Sequence, residues 1–148
     1  MNMDTSQKDQ KTEPNAFLGR KYIRSIGRRK TSSATVQFYV KGKGKFFVNK
    51  MPSAEYFPSK LMQQVCLSPL SKIGKLDSCD VNAKVFGGGK KSQSEAVRLA
   101  LARALVAYNE DFKSQMRAEG FLTVDRRAKE RKKPGLKRAR RAPQWSKR

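Results

Sequence analysis

A chain of 148 residues with 34 Lys and Arg against 12 Asp and Glu carries a formal net charge of +22, and it has no His at all. That length suits one domain with a core of its own, and the charge calls for a polyanionic partner. The missing imidazole, the lack of a Cys-x-x-Cys pair and the absence of any long apolar run argue for no metal, no cofactor, no small-molecule substrate and no membrane.

Residues 1–17 are polar and include Asp4, Asp9 and Glu13, which speaks against an organelle transit peptide and suggests a disordered extension. Residues 22–30 predict a strand that runs into a basic corner at Gly27, Arg28, Arg29 and Lys30. Ala34, Val36, Phe38 and Val40 then alternate with Ser33, Thr35, Gln37 and Tyr39, the pattern of a half-buried strand. Residues 41–45 (KGKGK) read as a turn and residues 46–49 as the returning strand of a hairpin. The lysines of that turn are candidates for phosphate contact, although exposed turn lysines are commonplace. Residues 53–57 suggest one helical turn stopped by Pro58. Residues 60–67 place Leu61 with Val65, and Met62 with Cys66, at helical spacing, and Pro69 is expected to end that helix. A third strand over 79–86 points Cys79, Val81, Ala83 and Val85 one way. Core packing is the expected role of these apolar residues, with both cysteines as small buried hydrophobes in a reducing compartment.

Gly87, Gly88 and Gly89 follow that strand and permit positive φ and close backbone approach. Ser92-x-x-Glu95 reads as a capping box that opens a helix running to about Tyr108, with Val97, Leu101, Ala104, Leu105 and Tyr108 along its apolar face. Free amides at its start, beside Lys90 and Lys91, make a seat for phosphate; a plain strand-to-helix turn explains the glycines equally well. The segment is no Walker loop, because Lys90 stands where the second glycine belongs. A short helix over 110–119 turns Phe112 and Met116 inward and ends at Gly120, after which Phe121 and Leu122 anchor the chain.

Residues 126–148 hold twelve Lys and Arg against Glu130 alone, so +11 of the total +22 lies in 23 residues. Pro134, Gly135 and Pro143 interrupt any long helix, and little but Leu136 and Trp145 is apolar. By itself such a segment cannot offset its ordering entropy and repels itself; a nucleic acid relieves the repulsion and releases counterions. At full extension it spans at most roughly 75–80 Å.

Three stretches carry a resemblance: GRRKTSSATV at 27–36, GGGKKSQSEAVRLALARAL at 87–105 and ERKKPGLKRARRAPQWSKR at 130–148. In order and spacing they resemble the S-nine family of small-subunit ribosomal proteins over about residues 20–148. The resemblance implies an α+β fold of the ribosomal S5 domain-2-like type over 18–125, with a long extended basic tail over 126–148. It implies small-subunit rRNA and neighbouring small-subunit ribosomal proteins as partners, on a cytoplasmic ribosome. It further implies peptidyl-site tRNA, whose anticodon stem-loop the last residues, Ser146, Lys147 and Arg148, approach. The candidate rRNA contacts are Arg28, Arg29 and Lys30 in the corner, Lys90 and Lys91 at the helix start, and Arg126, Arg127, Arg131, Lys132, Lys133, Lys137, Arg138, Arg140, Arg141, Gln144 and Trp145 in the tail. Val124 stands where bacterial members often have arginine, which puts one such contact in doubt, and Trp145 replaces a more usual Tyr or Phe. Charge alone would also suit a DNA-compacting protein. An enzyme using the glycine turn for nucleotide phosphates lacks a histidine, a Walker pattern and a carboxylate dyad.

Overall fold

Period-two burial is satisfied when one strand has a neighbour on each side and a helical layer against one face. In the computed structural model, which describes Phe17 and residues 19–147, β2 (Ser32–Tyr39) meets that condition. It pairs antiparallel with β1 (Ile23–Arg29) on one side and with β5 (Asp80–Phe86) on the other. Ala34, Val36 and Phe38 of β2 and Val81, Ala83 and Val85 of β5 turn to one face and are buried. The expected extension over 1–17 lies outside the described residues except for Phe17, whose ring stacks on Tyr39 at 4.9 Å.

The buried face is roofed by α3 (Lys90–Tyr108) and α2 (Lys60–Ile73). Val97, Leu101, Ala104 and Leu105 of α3 are fully buried, as the helical spacing requires, whereas Tyr108 is partly exposed. α3 lies hard against β1 because Gly27 has no side chain: a Cβ there would stand 2.0 Å from the Ala96 carbonyl oxygen. A short helix, α4 (Phe112–Ala118), buries Met116 and is followed by Gly120 at φ 69°, and Phe121 and Leu122 close the core's edge. Cys66 and Cys79 are free and buried, and burial pushes the Cys66 thiol up to about 12 against the opposing pull of Arg98.

Two expectations are corrected. Residues 46–49 do not return beside β2. β3 (Phe46–Val48) instead pairs parallel with β5 and antiparallel with the two-residue β4 (Met51–Pro52), giving the order β1-β2-β5-β3-β4. The loop before it is organised by Asp80, whose Oδ1 accepts from the Lys43 and Lys45 amides at 2.8 and 3.0 Å. Burial would raise the Asp80 carboxyl, but the Arg20 guanidinium at 2.6 Å and those two amides outweigh it and hold it below its ordinary value.

Pro69, secondly, does not end α2. It sits buried inside the helix, which continues to Gly74 at φ 70°. The proline removes the donor that would have met the Val65 carbonyl, and the Ser68 hydroxyl donates to that oxygen instead, at 2.9 Å. The helical turn after β4 is α1 (Ser53–Tyr56), with Pro58 just beyond it.

Candidate nucleic-acid interface

The turn from β1 to β2 holds Lys30 at φ 53° and leaves Arg28 and Lys30 exposed. Arg29 points inward. Its Nε donates to Glu95 at 2.6 Å and one terminal nitrogen meets the Asp125 carboxylate at 3.0 Å. The other terminal nitrogen donates to the Asp125 and Arg127 carbonyls at 3.3 and 2.9 Å. Arg29 thus fastens the first residues of the tail to β1 and α3. Side-chain and backbone N–H groups of Arg127, with Arg29 behind them, hold the Asp125 carboxyl well below the usual carboxylate range. Beside this tie opens a cleft of about 390 Å³, walled by Arg28, Lys30, Arg103 and Arg126. Val124 lines the same cleft.

The turn needs glycine for a reason. Gly87 and Gly88 have φ of 70° and 59°, and a Cβ on Gly88 would stand 2.1 Å from Ser32 Oγ and 2.8 Å from Ser92 Oγ. The two hydroxyls bond each other at 2.7 Å and Ser32 also donates to the Gly87 carbonyl at 3.0 Å. Gln93 Nε2 donates to that same carbonyl at 3.0 Å, while the Tyr56 hydroxyl donates to Gln93 Oε1 at 2.9 Å. The helix begins at Lys90 with Gly89 as its N-cap, so the capping box expected from Ser92 and Glu95 is corrected. Ser92 lies inside the first turn, where its Oγ accepts from the Gly89 N–H at 3.2 Å, and Glu95 is engaged by Arg29. Lys90 Nζ rests 3.1 Å from the centre of the Tyr56 ring and Lys91 is exposed.

Beyond α4 the described residues hold no helix or strand. Arg126, Arg127, Arg131, Lys132, Lys133, Lys137, Arg138, Arg140, Arg141, Gln144, Ser146 and Lys147 are exposed, and Trp145 is 79% exposed. Glu130 alone breaks the run of positive charge, and it draws Arg140 back to 2.9 Å and Lys133 to 3.6 Å. A turn closes beyond it, with the Lys137 N–H donating to the Arg141 carbonyl at 2.8 Å. Arg148 lies outside the described residues.

The same span that makes the corner, the glycine turn and the tail, residues 27–148, matches the family described as Ribosomal protein S9/S16. The chain belongs to the ribosomal protein S9/S16 family. It is 48% identical over 126 residues to small ribosomal subunit protein uS9 of Bacteroides thetaiotaomicron, covering 85% of this chain and 98% of that one. Against the uS9 protein of Porphyromonas gingivalis ATCC 33277 the identity is 48% over 127 residues, covering 86% and 98%. Against that of Nocardia farcinica it is 44% over 126 residues, covering 85% and 75%. A family of ribosomal proteins removes the enzyme reading.

In this member of the S9/S16 family, the corner and the root of the tail meet in one cleft, whereas Lys90 and Lys91, at the start of α3, do not line it. Arg103 is the cleft residue that sequence reasoning overlooked. Its guanidinium donates to the Ile26 carbonyl at 2.6 Å. Its spacing of four from Leu99, which shares the cleft, was the available signal.

Proposed function

We propose that this chain is a structural constituent of the small ribosomal subunit, holding rRNA with its cationic body and tail. The observation that carries the reading is membership in the S9/S16 family across residues 27–148, the span that contains the exposed tail. Body (18–125) and tail (126–148) divide the work. Arg28 and Lys30 with Arg126 offer phosphate contacts at the cleft, and Lys90 and Lys91 offer them at free helix-start amides. Arg29 supports that surface from behind, because its donors are already taken by Glu95 and by Asp125 and Arg127. The tail cations track the backbone, Gln144 adds polar contacts and the exposed Trp145 offers a ring for stacking. Neighbouring small-subunit proteins complete the setting, on a cytoplasmic ribosome.

The tip, Ser146, Lys147 and Arg148, reaches peptidyl-site tRNA at its anticodon stem-loop. Family resemblance and the exposed, cationic character of Lys147 support this finer reading. The test of the whole is co-sedimentation of the tagged chain with small subunits through a high-salt wash. Retention on the subunit is the expected result, and uniform release into the soluble fraction, or preferential binding to duplex DNA, would overturn the proposal.

A further inference from the structure

Among the described residues, the helices cover only one of the sheet's two faces, and on the other Phe17 covers Tyr39. On that second face, the strand registers set Arg24 beside Gln37 and Asn82, Ile26 beside Thr35 and Lys84, and Arg28 beside Ser33 and Phe86. Two aromatic rings flank this surface in the open: Tyr22 is 48% exposed and Phe86 66% exposed. Ile26 between them is 41% exposed. A shallow hollow of about 340 Å³ runs along Tyr22, Arg24, Thr35, Gln37, Lys84 and Phe86. None of those residues is acidic. The nearest carboxylate on this face of β5, Asp80, is buried and spent on Arg20 and two amides. The Gln37 and Asn82 side chains bond each other at 3.0 Å, so the middle of the surface is polar and flat.

Exposed rings in a cationic, acid-free setting on an open sheet match what unpaired bases need: π-faces to stack on, with cations in reach of the phosphates between them. A duplex cannot use the rings, since its bases are already stacked. We infer that this open sheet face, from Tyr22 to Phe86, docks an unpaired RNA segment of several bases, with Arg24, Arg28 and Lys84 meeting its phosphates. The inference rests on the RNA-binding reading above and adds to it a second surface, on the sheet and adjoining the cleft at Arg28, that distinguishes single strands from duplexes.

The test uses the full chain with Tyr22→Ala and Phe86→Ala combined, both at exposed positions. The probes are an unstructured RNA oligonucleotide of about twelve nucleotides, within the range single-strand platforms occupy, and a duplex RNA of equal length. Binding is measured at raised salt, which weakens the phosphate contacts of the tail far more than stacking. The double variant should lose roughly tenfold or more in single-strand affinity and keep its duplex affinity and melting temperature. Phe86→Tyr should retain the binding, and ultraviolet crosslinks in the natural chain should fall on Tyr22 and Phe86. Unchanged single-strand affinity in the double variant overturns the inference while leaving RNA binding intact. So does an equal loss against both probes, or the finding that the face is covered by a neighbouring protein in the assembled subunit. Failure of the natural chain to bind either RNA overturns the broader reading instead.

Discussion

Arg29 and Asp125 are joined across 96 positions of sequence, by a 3.0 Å ion pair to the carboxylate and a 3.3 Å hydrogen bond to the carbonyl of the same residue. The pair is only partly exposed, 15% for the guanidinium side and 31% for the carboxylate side. Removing Arg29 also strands Glu95, so Arg29→Ala should cost on the order of 1–3 kcal/mol and lower the melting temperature by several degrees. Arg29→Lys should recover little, because one ammonium cannot fork to both acids. Thermal unfolding of the two variants decides the matter. A melting temperature unchanged in Arg29→Ala would mean that the tail's root is held elsewhere.

Gly88 offers a sharper case. Valine there must adopt φ near 59° and intrude on Ser32 and Ser92 at 2.1 and 2.8 Å. Strain and the broken hydroxyl pair together should cost at least about 2 kcal/mol. Gly89→Ser is the control: φ is −107°, no atom lies within 4 Å of a built Cβ, and serine favours the N-cap. Equal melting temperatures for Gly88→Val and the natural chain would disprove the close packing of this turn.

Asp80 makes stability depend on acid. Its carboxyl is lowered in the folded chain, so its contribution is complete above the ordinary value of 3.8 and is lost as pH falls through the lowered folded-state value. Denaturant unfolding followed from pH 6 downward should show that loss. Asp80→Asn should be less stable at pH 6 and show a shallower decline below pH 4. Parallel curves for the two chains would exclude the carboxylate as the cause.

Neither thiol should be reactive in the folded chain. Both are buried, and Cys66 is raised to about 12, far above the pH of ordinary alkylation. Iodoacetamide at pH 8 should label both only after denaturation. Rapid labelling of Cys66 in the native protein would contradict its placement under α3.

Deletion of Lys147 and Arg148 tests the proposed tRNA contact apart from assembly. Ten of the twelve tail cations remain upstream, so subunit occupancy should persist. Each lost charge-assisted contact is worth on the order of 1–3 kcal/mol, and peptidyl-site tRNA should dissociate faster from each occupied subunit. Loss of occupancy with unchanged tRNA affinity would make the tip an assembly element instead.

Local patterns carried the central elements. The alternation at 34–38 and at 79–86 and the helical spacing from Val97 to Leu105 are each enforced by the face they bury, which is why they were legible without coordinates; Tyr39, expected to be exposed on the opposite face, is buried under Phe17 instead. What escaped depended on partners distant in sequence. β3 joins β5 because Asp80 gathers the amides of Lys43 and Lys45 from 37 and 35 positions away, and no local signal encodes that. Pro69 is tolerated through one serine hydroxyl, a substitution of donors that propensity does not register. Of the candidate contacts, exposure was readable from charge density in the tail. The inward turn of Arg29 was not, since its two acids lie 66 and 96 positions ahead.

The lone acid of the tail has a mechanical consequence. With Arg140 held to Glu130 at 2.9 Å, the ends of an eleven-residue stretch sit side by side. Pulled straight, that stretch spans roughly 33–36 Å. The pair is exposed, and opening an exposed pair costs about 1 kcal/mol or less. A phosphate that takes Arg140 from Glu130 therefore releases a reserve of contour length between those two residues.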